Sequence, residues 1–249
     1  TAVTVGSTSL PVQSFFESTI DTTVKLTNFR TPYLTSNHEN AGIGTSYQLG
    51  DARLLFGMTI PVISDINGHL GKTRTFTASI EHGDSGKRAL TLMAGLTQEK
   101  DKLLGSSGTG AFSLSGSSSE TTFATLKAQA QLGDDVFLTG ITTLAYTNMT
   151  RPRYSLVGSS NDMKSSSHSL TINKRHLLGD DNLSAFIAQP NRISSGSIEV
   201  HIPTLADSYG TINYNAKNIS LEPSSRQLNY GLSYRKNISD DLSFSFKHV

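Results

Sequence analysis

The sequence predicts an all-β fold, an up-and-down antiparallel transmembrane β-barrel of about 12 strands with a short N-terminal leader. Apolar and polar residues alternate along most of the 249-residue chain, which is the side-chain period of a β-strand. The alternating runs are joined by tight turns and by long connections rich in Ser, Gly and Asn, and these two kinds of connection take turns along the chain. This layout is typical of outer-membrane barrels, whose short turns face the periplasm and whose long loops face outward.

Composition limits the function classes. The chain has 21 Lys and Arg against 20 Asp and Glu, a net charge of +1, so no bulk field attracts nucleic acid and no such partner is predicted. Absence of cysteine excludes disulfides, Cys-ligated zinc and thiol catalysis. No apolar run is long enough for a transmembrane helix. No signal peptide opens the chain at Thr1, so we expect a cytoplasmic protein or a mature or excised portion of a longer one.

The predicted domains are a leader or linker at 1–21 and a barrel domain at 22–249. Leu54, Phe56 and Met58 alternate with polar or small residues, and Tyr230 and Leu232 do the same near the C-terminus. Such runs predict strands with one apolar and one polar face. The predicted strands are 22–34, 40–48, 52–61, 72–82, 88–98, 120–131, 135–147, 167–176, 183–189, 197–203, 210–220, 226–236 and 241–248.

Three nearly identical Leu-Gly-Asp triplets separate predicted strands, at 49–51, 132–134 and 178–180. Gly and Asp supply the positive φ and the local side-chain hydrogen bonds that tight hairpins require. The stretches 82–87 and 237–240 are predicted to be turns of the same kind. The longer connections are predicted at 61–71, 99–119 and 148–166.

Alternation alone does not identify the solvent, because a water-soluble antiparallel sandwich alternates too. The predicted runs of about 9–11 residues suit a tilted membrane-spanning strand better than a sandwich strand. Their polar faces also carry more charge than a packed core tolerates, although a water-filled lumen accepts it. A soluble all-β binding module remains the alternative. The predicted lumen-lining residues are Arg53, Glu81, Lys127, Glu199 and Arg235.

The tetrapeptide Gly83-Asp84-Ser85-Gly86 also surrounds the nucleophile of a large serine-protease family. A serine nucleophile needs a base and an orienting third group, and none of the upstream histidines lies in a suitable sequence context. Ser85 is therefore predicted to lie in a hairpin turn, and no catalytic residue is assigned. The seven histidines lack paired ligand spacing, so no metal and no cofactor are predicted.

Several stretches together resemble a known family. They are Gly108-Thr109-Gly110-Ala111-Phe112, the pair Gln189-Pro190 with Ser195-Gly196 soon after it, and Leu221-Glu222-Pro223-Ser224-Ser225-Arg226. In order and spacing they resemble the C-terminal translocator barrel of subtilisin-like serine protease autotransporters. The resemblance covers roughly residues 40 to 247.

The resemblance implies type V secretion, with a barrel in the outer membrane of a Gram-negative bacterium. An N-terminal passenger, expected to be a subtilisin-like protease, would cross to the surface through or with it. The implied partners are outer-membrane lipid, the passenger and the barrel assembly machinery. A short helix precedes the first strand inside the lumen of such proteins, and the matching stretch here is 9–20. A pore without a passenger is a further alternative.

The C-terminus departs from the family pattern. The family generally has another strand after the position that corresponds to 241–248, and outer-membrane barrels usually end on an aromatic residue. This chain ends at Lys247-His248-Val249. A closing strand is therefore expected to be missing from the sequence.

Overall fold

A computed structural model describes residues 2–6, 33, 40–61, 73–84, 87–206, 208–239 and 242–248. Within these residues the protein is all-β and antiparallel, as predicted, and the regular structure besides strands is a short 3₁₀ turn at Gly110–Phe112. The strands are β1 (Ala2–Gly6), β2 (Asn40–Leu49), β3 (Ala52–Pro61), β4 (Thr73–Asp84), β5 (Arg88–Lys100), β6 (Ser118–Gly133), β7 (Val136–Met149), β8 (Val157–Arg175), β9 (Asp181–Ala206), β10 (Ile212–Ser220), β11 (Asn229–Ser239) and β12 (Leu242–His248).

All strands belong to one sheet in which each strand from β1 to β9 pairs with the next along the chain. β9 then pairs with both β10 and β11, and β11 pairs with β12. In the described part of the chain, β1, β12 and β10 each pair on one side only and form the edges of the sheet. No helix in this part has the length and hydropathy that crossing a membrane requires.

β10 and β11 occupy one strand position that is interrupted at 221–228. β10 pairs with 197–206 of β9 and β11 pairs with 181–188, so both run antiparallel to β9 and follow each other along it. The predicted division of β9 into separate strands at 183–189 and 197–203 is wrong, because one strand runs from Asp181 to Ala206. Pro190 and Gly196 suggested a break, but they lie where β9 has no pairing on the β10 and β11 side. A proline without an N–H is tolerated there.

The connections at the two ends of the sheet differ in length. At one end tight turns lie at the three predicted Leu-Gly-Asp sites, with positive φ at Gly50, Asp135 and Gly179. At the other end, the predicted loop 148–166 is largely strand, because β7 continues to Met149 and β8 begins at Val157. β8, β9 and β10 thus extend well beyond β4 and β5 at this end.

The two faces of the sheet are inverted relative to a water-soluble sheet. In β4, Thr73, Thr75, Thr77, Ser79 and Glu81 are buried, whereas the alternate side chains, which include Phe76 and Ile80, are exposed. We call these the inner and the outer face. Five buried hydrophobic residues of the inner face form a small cluster, namely Tyr33, Leu55, Met93, Phe123 and Ala145.

Candidate functional site on the inner face

Hydroxyl groups line much of the inner face and bond to each other across strands. Three pairs join β4 to β5 and β6 to β7, namely Thr75 with Thr97 at 3.1 Å, Thr121 with Thr147 at 2.8 Å and Thr125 with Thr143 at 2.9 Å. Threonine suits these positions because its β-branch favours strands and its hydroxyl reaches the neighbouring strand. The inner face is therefore polar, although its side chains are buried.

Three of the predicted lumen residues lie in one row across the inner face. Arg53 is opposite Glu81, Glu81 is opposite Thr91, and Thr91 is opposite Lys127 in the register of β3 to β6. We call Arg53, Glu81, Thr91 and Lys127 the charged row. Adjacent strands are about 4.8 Å apart, so the Glu81 carboxylate lies between two cations. Glu81 is only 5% exposed.

Glu199 lies outside this row. The row continues through Ile141 and Ser169 to Ala188 of β9, and Glu199 lies about 35 Å further along that strand at the usual rise per residue. The Glu199 carboxylate is 2.8 Å from Nε2 of His201 and packs over Gly158. The structure therefore places Glu199 on the extended part of β9.

Arg235 lies at the short-turn end of the sheet. It is opposite Asn182 of β9, which is opposite Arg175 of β8. The Arg175 guanidinium lies over the ring of Phe137 at 4.5 Å from the centroid, an attractive cation–π contact. Sequence reasoning missed Arg175 and Phe137, because their contact joins β7 and β8 and has no signature along the chain.

A level of small residues crosses the inner face beside the charged row. Gly44, Gly57, Thr77 and Gly95 are successive register partners from β2 to β5, and Gly95 is opposite Phe123 of β6. The Phe123 ring lies directly over Gly95, where a Cβ would be 2.3 Å from the ring Cζ. The aromatic ring thus requires glycine at position 95, and we call this contact the Phe123–Gly95 joint.

Tyr33 rests on this joint from within the concave side of the sheet. Its ring stacks on Phe123 with centroids 5.2 Å apart, and its hydroxyl shares a 2.5 Å hydrogen bond with Ser165. Nδ2 of Asn191 donates to the same hydroxyl at 3.1 Å. Tyr33 therefore touches β6, β8 and β9 at once, which requires the sheet to curve around it. Burial raises the pKa of the Tyr33 phenol, so the hydroxyl remains protonated.

Tyr33 belongs to the segment between β1 and β2, so part of this segment lies inside the curved sheet. It falls in the predicted strand 22–34, whose other residues lie outside the described ones, as does the predicted lumen helix at 9–20. Residues 2–6 of the predicted leader form β1 and pair with β2. The sequence gave no signal for Tyr33 as an inner contact, because its partners are far away along the chain.

A carboxylate fastens the long connection between β5 and β6 to the inner face. Glu99 is buried, and its carboxylate accepts hydrogen bonds from the backbone N–H of Gly105 at 2.8 Å and from the Ser119 hydroxyl at 3.2 Å. The connection also contributes Leu103 and Leu114 to an apolar cluster with β7, β8 and β9. This predicted external loop is therefore packed against the extended end of the sheet.

The stretch around Ser85 forms a turn between β4 and β5. Gly83 has a φ of 106°, and the N–H of Lys87 donates to the carbonyl of Asp84 at 2.9 Å. Ser85 and Gly86 themselves lie outside the described residues.

The sequence matches no protein-family model, and a search of curated proteins finds no significant match.

Proposed function

We propose that this sheet closes into a barrel in the outer membrane of a Gram-negative bacterium and acts as the translocator of an autotransporter. The inverted faces carry the proposal, because a polar buried face and an apolar exposed face suit a water-filled lumen surrounded by lipid. A soluble protein rarely leaves so large an apolar face uncovered. The exposed outer residues include Ile43, Phe56, Phe76, Ile80, Leu90, Leu92, Leu126, Leu144, Leu170, Ile172, Ile187, Leu232, Phe244 and Phe246.

The asymmetry of the connections supports an orientation. Tight turns at one end and extended strands with a packed connection at the other match the periplasmic and external ends of outer-membrane barrels. Closure of the sheet would pair the backbone groups at its edges, as the hydrocarbon layer requires. Outer-membrane lipid and the barrel assembly machinery are accordingly the partners of insertion in this proposal.

The inner face supports passage or storage of an extended segment. Its hydroxyl pairs and charged row offer hydrogen bonds to an extended chain, and Tyr33 is a residue of this chain that already packs there. The sequence resemblance adds the expectation that the passenger is a subtilisin-like protease. In this proposal, the barrel itself is not an enzyme and any protease activity belongs to the passenger.

The first experiment is a semi-native gel of protein refolded in detergent, with heated and unheated samples. A closed membrane barrel commonly resists SDS until it is heated, so we expect a heat-dependent shift in mobility. Planar-bilayer conductance of the refolded protein then tests for a lumen. A monomeric, fully folded protein in plain buffer without a heat shift would contradict the membrane proposal and favour the soluble all-β module.

Export is tested separately in cells. A protease-sensitive reporter is fused upstream of Thr1, and its degradation by protease added to intact cells is measured. Surface degradation supports the translocator, whereas a heat-shifting, conducting barrel that leaves the reporter protected would indicate a pore without a passenger.

A further inference from the structure

We propose that the outer face binds a phosphorylated glycolipid of the lipid A class at its long-connection end. The proposal rests on the membrane function proposed above and adds a specific lipid partner to it. Five exposed or partly exposed cations at this end form the site, and we call them the rim cations. They are Arg74, Lys100, Arg151, Arg153 and Lys164.

Strand register and one hydrogen bond bring three of the rim cations, Arg74, Lys100 and Arg151, close together. Arg74 of β4 is opposite Gln98 of β5, two residues from Lys100. Lys100 is opposite Ser118 of β6, whose N–H bonds to the Thr150 hydroxyl beside Arg151. With strands about 4.8 Å apart, the Cα atoms of Arg74, Lys100 and Arg151 lie within about 15 Å of one another. These three cations can therefore bind the phosphates of one large headgroup.

None of the rim cations has a carboxylate within ion-pair distance among the described residues. Three acidic side chains lie close by, namely Asp101, Glu120 and Asp162, and each accepts a hydrogen bond from a neutral donor. The donors are the N–H of Gly116, the Gln98 amide and the Tyr146 hydroxyl. These bonds leave the three negative charges in place, so the five cations against three carboxylates give the rim a net positive charge that attracts an anion.

Apolar side chains lie next to the rim cations on the same face. Phe76 follows Arg74 by two positions on β4, and Leu144 precedes Tyr146, the register partner of Lys164, on β7. Both are exposed. A lipid with phosphates above and several acyl chains below matches this arrangement, because the phosphates meet the cations while the chains cover the apolar band. Free phosphate would use only half of the surface.

The opposite end of the sheet has a different charge pattern. Each tight turn described there carries aspartate: Asp51, Asp84, Asp134 and Asp180. The cations at that end are partly engaged, since Lys174 donates to the carbonyl of Asp134 at 2.6 Å. The difference between the two ends supports a site for anionic lipid at the long-connection end alone, which the proposed orientation places in the outer leaflet.

The test measures lipid binding to the detergent-refolded protein by native mass spectrometry. The probes are bis-phosphorylated lipid A, lipid A without its phosphates, and inorganic phosphate as a competitor. The triple variant Lys100→Gln, Arg151→Gln and Lys164→Gln is compared with a matched control, Lys87→Gln with Arg88→Gln at the tight-turn end. Each variant must first show the heat-dependent gel shift, and Lys164→Glu alone serves as a milder second variant.

We expect the triple variant to bind bis-phosphorylated lipid A about tenfold more weakly, with the control pair unchanged. Removal of both phosphates from the lipid should have a similar effect on the original protein. Equal affinities of the triple variant and the control pair, or displacement of the lipid by an equal concentration of phosphate, would overturn the lipid site.

These results separate the lipid site from the proposed function. A protein that shows the heat shift and conducts ions, yet does not prefer the phosphorylated lipid, contradicts only the lipid site. A protein without a heat shift that is soluble in plain buffer contradicts both.

Discussion

At the scale of single residues, the packing of the inner face depends on an aromatic ring that lies against a glycine. Phe123 is only 2% exposed because Gly95 leaves room for its ring, and Tyr33 in turn uses the ring as a platform. These contacts join β5, β6 and the segment before β2. They could not be predicted from the sequence, because alternation assigns each residue to a face of the sheet but does not identify the residue opposite it on the next strand.

Gly95→Ala tests the Phe123–Gly95 joint. The added methyl would overlap the Phe123 ring, so we expect the free energy of unfolding to fall by about 1–3 kcal/mol, measured by urea titration in lipid vesicles. Gly140→Ala is the matched control, because the nearest side-chain atom there would be 3.8 Å away. Phe123→Leu in the Gly95→Ala background should recover part of the loss. An equal loss in both alanine variants would contradict the joint.

Tyr33 provides a second test at this scale. Tyr33→Phe keeps the stack on Phe123 but loses the bonds to Ser165 and Asn191, which should cost about 1 kcal/mol. Tyr33→Ala removes the stack as well, so in the proposed barrel position 33 should leave the lumen more often. We expect single-channel conductance to rise in the order wild type, phenylalanine, alanine. Identical conductance in all three proteins would show that this segment does not obstruct the lumen.

At the scale of elements, the register of β3 to β6 determines the electrostatics of the inner face. The sequence predicted Arg53, Glu81 and Lys127 on polar faces, and the register places them side by side. Periodicity could not supply this, because it does not specify which residues of two strands are opposite. Periodicity also gave no sign that Glu199, which has the same alternation, lies on the extended part of β9.

Glu81→Gln tests the charged row. Loss of the carboxylate leaves Arg53 and Lys127 without the charge between them, so we expect a loss of about 1–3 kcal/mol in stability. In the proposed barrel the lumen also becomes more positive, so the reversal potential in a KCl gradient should shift toward anion selectivity. Glu120→Gln is the control, since that carboxylate is on the outer face at the rim. A shift of equal size in the control would place Glu81 outside the ion path.

Strand prediction succeeded best where a tight turn lies between two alternating runs. The hairpins of β2 with β3 and of β6 with β7 have the predicted turns, because Gly and Asp have a local conformational reason to be there. It failed for the Ser-rich beginning of β8 and for the middle of β9, where alternation is weak. Pairing with neighbouring strands, and not local propensity, keeps those residues in the sheet.

At the scale of the whole molecule, the solvent of the outer face decides the function. An exposed leucine costs free energy in water but not in lipid, although the geometry of the sheet is the same in both solvents. Leu126 and Leu132 lie on the same face of β6 and are 46% and 60% exposed. Leu126 lies well inside the strand and Leu132 lies next to a turn, so the two residues would lie at different depths in a bilayer.

Leu126→Arg should lower the free energy of unfolding by about 2–4 kcal/mol in lipid vesicles, whereas Leu132→Arg should cost about 0–1 kcal/mol. The physical reason is that a charge near the bilayer midplane loses its hydration, while one near the interface retains it. Urea titration of both variants in vesicles provides the measurement. Small and equal costs would indicate that water surrounds the outer face.

The interruption between β10 and β11 implies that two parts of β9 open independently. Residues 189–196 have no ladder on that side, and the contacts across the gap are a bond from Leu221 to the Gly196 carbonyl and bonds from Arg192 to Glu222 and Pro223. Amide hydrogens in this short interval should exchange with deuterium faster than those on either side. Mechanical or thermal stress would then detach the pair formed by β10 and residues 197–206 of β9 first. The pairing of β11 with residues 181–188 would remain intact.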